Sequence, residues 1–182
     1  MIDQNLRKVE GTIKKGGVKP ITYDIVWDVM EPNDQLILFV HGFKGFKDWG
    51  IWNAVAREFA RNGIAFMKIN FSHNGTTPDH LEDFTDLEAF GKNNFSREVN
   101  DIKRVVSALK DNAIQLPKVF SELEFTLIGH SRGGASAIIA ASELNEGIDK
   151  LVTWAAIDDI PSRYGEFEEN WKKDGLKYDE NG

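Results

Sequence analysis

The residue pattern in this chain best suited to covalent chemistry is a serine set between two glycines. Gly129-His130-Ser131-Arg132-Gly133 follows an apolar run and precedes a stretch rich in Ala and Ile. The order strand, sharp turn, helix makes it a nucleophile elbow. Side chains two positions either side of such a turn would meet neighbouring backbone, so Gly129 and Gly133 relieve the crowding, and Gly134 extends the relief. Ser131 then stands at a helix N-terminus, where N-H groups and the helix dipole favour negative charge developing nearby. Its hydroxyl is presented for attack on a carbonyl carbon. Upstream, His41-Gly42-Phe43 closes another apolar run, with Gly42 permitting close backbone approach. The chain has no cysteine, which excludes disulfides, thiolate zinc sites, iron-sulfur clusters and a Cys nucleophile together.

Positioning these residues requires alternating strands and helices. Val9 to Lys14 and Ile21 to Val29 are β-branched stretches around Lys15-Gly16-Gly17, which predicts a hairpin. Leu36 to Val40 reads as a strand covered on both faces. Trp49 to Arg61 carries Ile51, Trp52, Val55, Ala56 and Phe59 at helical spacing and closes on Asn62-Gly63. Ile64 to Phe71 is a second buried strand. Phe95 to Lys110 repeats the helical period, Phe125 to Ile128 is the third core strand, Gly133 to Leu144 a helix, and Leu151 to Ile157 the fourth strand. Such alternation implies βαβ units in a doubly wound sheet, with the binding crevice at the strands' carboxyl ends. The stretch Ser72 to Asn94 is a long loop whose Asp79, Glu82, Asp83, Asp86 and Glu88 read as a solvated face.

Composition narrows the function classes. Among 182 residues, 22 Lys and Arg stand against 29 Asp and Glu, for a formal net charge of -7. That balance argues against a nucleic-acid partner. No run approaches membrane-spanning length and the first residues lack the apolar core of a signal peptide, so the expectation is no membrane partner and a cytoplasmic location. His73 and His80 lie near Asp79, Glu82 and Asp83 without regular ligand spacing, so no metal is expected. Gly42 and Gly45 are not followed by the Lys-Ser/Thr of a phosphate loop, and no cofactor is expected. Phe43, Phe46, Trp49 and Trp154 could line an acyl or aromatic pocket at the crevice or pack in the core.

Taken in order, the hairpin, the H-G-F loop and the G-H-S-R-G-G elbow resemble the α/β-hydrolase superfamily over nearly the whole chain, and most closely bacterial esterases and dienelactone-hydrolase-like or acyl-peptidase-like serine hydrolases. The resemblance implies an α/β fold with a mostly parallel, doubly wound sheet of the α/β-hydrolase type. It also implies a serine hydrolase acting on carboxylic esters through an acyl-serine intermediate. Ser131 would be the nucleophile, and the backbone N-H groups of Phe43 and Arg132 would hold the oxyanion. A peptidase or acyltransferase on the same scaffold shares that step, and a non-catalytic binding protein of this fold is the alternative from another class.

One element of the superfamily pattern is missing. The expected order is Ser, acid, His, yet His41, His73, His80 and His130 all precede Ser131 or adjoin it on the N-terminal side. Asp158 and Asp159, at the end of the fourth core strand, are candidates for the acid. His41 and His130 read as buried supports rather than bases. An eight-stranded hydrolase sheet at roughly 30 residues per strand-helix unit wants about 240 residues, so the expectation is a sheet incomplete at its C-terminal edge. Residues 1-160 would form the core. Residues 161-182, with Tyr164, Phe167 and Trp171 on one helical face and Asn181-Gly182 as a terminal turn, would begin a lid or cap. The implied partners are a small-molecule ester and either a missing C-terminal segment of this protein or a self-pairing second chain.

Overall fold

The structure is a computed structural model that describes residues 4-15, 17-30, 33-144 and 146-175. Strands β1 (Leu6–Lys15), β2 (Val18–Asp28), β3 (Gln35–Val40), β4 (Ala65–Asn70), β5 (Glu124–His130) and β6 (Lys150–Trp154) form one sheet. Their spatial order is β1-β2-β4-β3-β5-β6. The expected hairpin forms as β1 and β2, and β2 pairs antiparallel with β4, while β4, β3, β5 and β6 are parallel. Gly16 of the hairpin turn, the side chains of Tyr164 and Phe167, and Asn181-Gly182 lie outside the described residues.

The described residues form five α-helices: α1 (Trp52–Arg61), α2 (Leu87–Gly91), α3 (Phe95–Lys110), α4 (Arg132–Leu144) and α5 (Ile160–Asp174). On one face Val99, Ile102, Val105, Val106 and Leu109 of α3 and Ala137 and Ala140 of α4 cover Leu36, Leu38, Val40, Met67, Ile69, Phe125 and Leu127. On the other, Trp52, Val55, Ala56 and Phe59 of α1 meet Ile37, Phe39, Phe66 and Ile128. Because both faces are covered, β3 and β4 are buried at nearly every position, which is why they read as continuous apolar runs. The sheet is doubly wound, and β6 is its last strand among the described residues, with Leu151 and Val152 exposed.

Several element boundaries shift by a few residues from the sequence reading, and two of the shifts have a direct cause. α1 begins at Trp52, not Trp49, because Gly50 takes φ +59 and Lys47 and Asp48 are engaged in a buried ion network. β6 stops at Trp154, not Ile157, because Ala155 turns into the left-handed region at φ +49. The long loop holds the short helix α2, whose first turn is capped by the Asp86 carboxylate accepting from the Ala89 N-H. Among the described residues, no helix is long and apolar enough to cross a membrane.

Candidate active site

Ser131 lies between the end of β5 and the start of α4 with φ +53, a left-handed conformation that a serine adopts only against a steric cost. Backbone hydrogen bonds hold it there. Its N-H donates to the Trp154 carbonyl at 2.9 Å, and its carbonyl accepts from the Gly134 N-H at 2.9 Å. The glycines are required by contact. A β-carbon on Gly129 would fall 2.5 Å from the Gly133 carbonyl oxygen, and one on Gly134 would fall 2.6 Å from the Ala156 β-carbon.

The His41-Gly42-Phe43 segment, at the end of the neighbouring parallel strand β3, meets this turn directly. A β-carbon on Gly42 would stand 3.0 Å from the Ser131 β-carbon. The segment is folded tightly, with the Gly45 N-H donating to the Gly42 carbonyl and Lys44 at φ +55. Between the two motifs opens a cavity of about 320 Å³ lined by His41, Gly42, Phe43, Lys44, Gly45, Trp49, Trp52, His130 and Ser131. Of the aromatic candidates, Phe43 and Trp49 line it. Phe46 is buried beneath Trp49, and Trp154 packs with Phe39 and Trp52 against the sheet.

The histidines divide by their ring nitrogens. His41 is buried; its Nδ1 donates to the Gly42 carbonyl at 2.8 Å, which leaves Nε2 to accept from the Asn74 amide at 3.4 Å. Burial holds its pKa below the ordinary histidine value, so it is a neutral brace for the loop. His73 is buried too: Arg97 donates to Nε2 at 3.0 Å, so Nδ1 is the nitrogen that donates to the Ser72 hydroxyl at 2.7 Å. Burial, reinforced by the nearby Arg97 charge, lowers its pKa. His130 lies beside Ser131 in the cavity wall, its ring 5.2 Å from that of Trp52, and burial lowers its pKa as well. His80 is exposed in a turn where its backbone exchanges hydrogen bonds with Thr77. No hydrogen bond joins a histidine to the Ser131 hydroxyl among the described residues.

Asp158 and Asp159 fall just before α5, both exposed, with Asp158 Oδ1 accepting from the Asp159 N-H at 2.9 Å. The bend before them packs on the elbow, since the Ile157 N-H reaches the Ser131 carbonyl at 3.3 Å. Among the described residues no cluster of three His, Asp or Glu side chains could hold a metal ion.

Two polar networks around the site were not read from the sequence. Asp24 of β2 and Lys68 of β4 are fully buried, and Lys47 and Asp48 of the β3-α1 loop join them. Lys47 Nζ lies 2.6 Å from Asp24 and also pairs with Asp48, while Lys68 Nζ lies 2.6 Å from Asp48 and 3.3 Å from Asp24. Burial pushes the Asp48 pKa up, but hydrogen bonds from Lys47 and Lys68 outweigh it and bring the value down to about 2. The Lys47 N-H also donates to Asn70 Oδ1 at 2.6 Å, which ties the loop after Phe43 to the end of β4. In the second network, buried Glu98 of α3 accepts from Arg132 and Ser136 of α4. The signal for both was a charge at a buried position. Glu98 lies on the same helical stripe as Ile102, Val105 and Leu109, and Lys68 lies inside an apolar strand.

No family model and no curated protein matches the chain in sequence. Solved structures do match in shape. A dienelactone hydrolase from Anabaena variabilis aligns over 84% of this chain and 64% of its own, at 19% identity and TM-score 0.65. A thermostable carboxyl esterase from Bacillus coagulans aligns over 92% of this chain and 51% of its own, at 16% identity and TM-score 0.69. The alpha/beta hydrolase domain-containing protein 10 from mouse aligns over 92% and 59%, at 16% identity and TM-score 0.64. The chain thus spans between about half and two-thirds of the length of these proteins. With its parallel strands, covered faces and elbow at the end of β5, the chain has the α/β-hydrolase fold.

Proposed function

We propose that this chain carries the nucleophile and oxyanion hole of a serine hydrolase acting on carboxylic esters. The observation that carries the reading is the left-handed Ser131 in contact with the Gly42 backbone at the rim of the 320 Å³ cavity. Strain at a residue that any turn could avoid is retained where the side chain has work to do. In the reaction, Ser131 Oγ attacks the ester carbonyl and its proton passes to a base. The carbonyl oxygen becomes an oxyanion between the N-H groups of Phe43 and Arg132, each donor contributing about 3 kcal/mol in the transition state. Collapse expels the alcohol, which takes the proton, and water then releases the acid by the same steps.

The base is assigned to a histidine supplied from outside residues 4-175, by a further segment of the protein or a second chain adding beyond β6. His41 and His73 support this, since each already has both ring nitrogens hydrogen-bonded. Asp158 or Asp159, beside the elbow, is the acid that would orient such a histidine, and α5 is the start of a lid or cap segment. The test is labelling by a fluorophosphonate, read by intact mass for wild type and Ser131→Ala. Labelling of the wild type alone supports the reading; equal labelling of both overturns it. Wild type unlabelled even with the histidine-bearing segment added would leave a binding protein on this fold.

A further inference from the structure

Arg132 follows the nucleophile, yet its side chain turns away from the cavity and is buried. Its Nε donates to Glu98 Oε1 at 2.7 Å, and its guanidinium lies 4.1 Å from the centre of the Phe95 ring and 5.9 Å from that of Phe43. Glu98 is held in turn by the Asn93 amide at 2.8 Å and the Ser136 hydroxyl at 2.5 Å. A buried ion pair of this kind gives little net stability compared with an apolar pair of the same size, so what it contributes here is placement.

We propose that the Arg132 side chain, fixed by Glu98, is a positioning residue that sets the spacing of the two oxyanion donors. The inference rests on the acyl-serine reading. One donor is the N-H of Arg132 itself and the other is the N-H of Phe43, whose segments belong to different strands. Phe43 is half exposed and follows a glycine, so its backbone needs lateral support. Its ring has that support from Phe90, 5.7 Å away, and from the Arg132 guanidinium. The planar guanidinium can stack on rings while donating in its own plane, which a lysine cannot do. Arg132 therefore couples the two halves of the oxyanion hole through one rigid side chain anchored on α3.

The experiment measures the rate of Ser131 labelling by a fluorophosphonate as a function of probe concentration. The proteins are wild type, Glu98→Gln, Arg132→Gln, Arg132→Lys and the control Lys103→Ala. Lys103 pairs with Glu143 and also joins α3 to α4, but at the surface and away from the elbow. The expected result is a limiting rate lowered about tenfold to a hundredfold in Glu98→Gln and Arg132→Gln, with half-saturation within about twofold of wild type. Arg132→Lys should recover little, because charge alone does not restore the stack, and Lys103→Ala should label as wild type. Melting curves identify any variant that has lost its fold, and the comparison is made among those that keep it. Wild-type rates in a folded Arg132 or Glu98 variant would overturn the proposal, as would equal slowing by Lys103→Ala. A wild type that fails to label at Ser131 even with the histidine-bearing segment added would instead overturn the serine reading, and the positioning role with it.

Discussion

A β-carbon on Gly133 would stand 2.2 Å from the carbonyl oxygen of His41, and 2.8 Å from that of Val40. The elbow helix and the end of β3 therefore touch backbone to backbone, with no flexible side chain to give way. Gly133→Val is expected to cost about 3 kcal/mol or more by overpacking. Urea unfolding measures it, beside Ser131→Ala, which should remain near wild type. A Gly133→Val protein that unfolds and labels normally would show the turn to be looser than described.

Ser131 itself should be a source of instability. At φ +53 glycine carries no penalty, so Ser131→Gly should exceed Ser131→Ala in stability by about 1 kcal/mol while both lose labelling. Thermal melting of the pair decides it. Equal melting temperatures would mean the conformation is not strained.

Lys68→Met should be among the more damaging single changes in the sheet. It leaves Asp48 and Asp24 buried with one fewer cation, and breaking a buried pair on one side costs about 3 to 5 kcal/mol. The loss should be nearly independent of salt, because buried pairs are poorly screened. Urea titrations at low and high ionic strength test both points, and a strongly salt-dependent loss would contradict the burial.

Acidification should weaken the fold before the carboxylates titrate. Burial holds the pKa of His41 and His73 below that of an unfolded histidine, about 6.5. Between the two values the unfolded chain binds more protons, so stability is fully present above the unfolded pKa and is lost as pH falls through the folded one. The charges facing His41 are Glu98 and, when protonated, His130; those facing His73 are Arg97, Lys19, Arg104 and Asp86. Asp101, raised by burial, acts in the opposite sense in the carboxylate range. Melting of wild type and His73→Gln from about pH 8 to about pH 5 should show a shallower decline in the variant. Identical slopes would remove His73 from the explanation.

What the sequence disclosed, and what it hid, follows from the range of the interactions. The elbow was legible because its turn, its glycines and its helix are contiguous, and β3, β4 and α3 because burial imprints a period on neighbouring residues. The start of α1 at Trp52 and the end of β6 at Trp154 were not, since each is set by partners distant in sequence: Asp24 and Lys68 for the first, the Ser131 N-H for the second. The same reason hid Glu98. Its place on the apolar stripe of α3 signalled a buried charge, but its partner Arg132 lies on another helix, and no local pattern joins them.

Asp24 and Lys68 are also direct cross-strand partners in the β2-β4 ladder. From Ile21 to Trp27, and throughout β4, every position is buried, so alternation of polar and apolar residues cannot tell these strands how to align. Sliding β2 by one residue would drive Asp24 into the wholly apolar face occupied by Tyr23 and Ile25, and sliding it by two would set Lys68 against Thr22 or Val26 instead of a carboxylate. The ion pair thus serves as an alignment key for the antiparallel seam between the hairpin and the parallel sheet. Misaligned pairings are penalised by stranded charge, which makes the one correct register the lowest in energy.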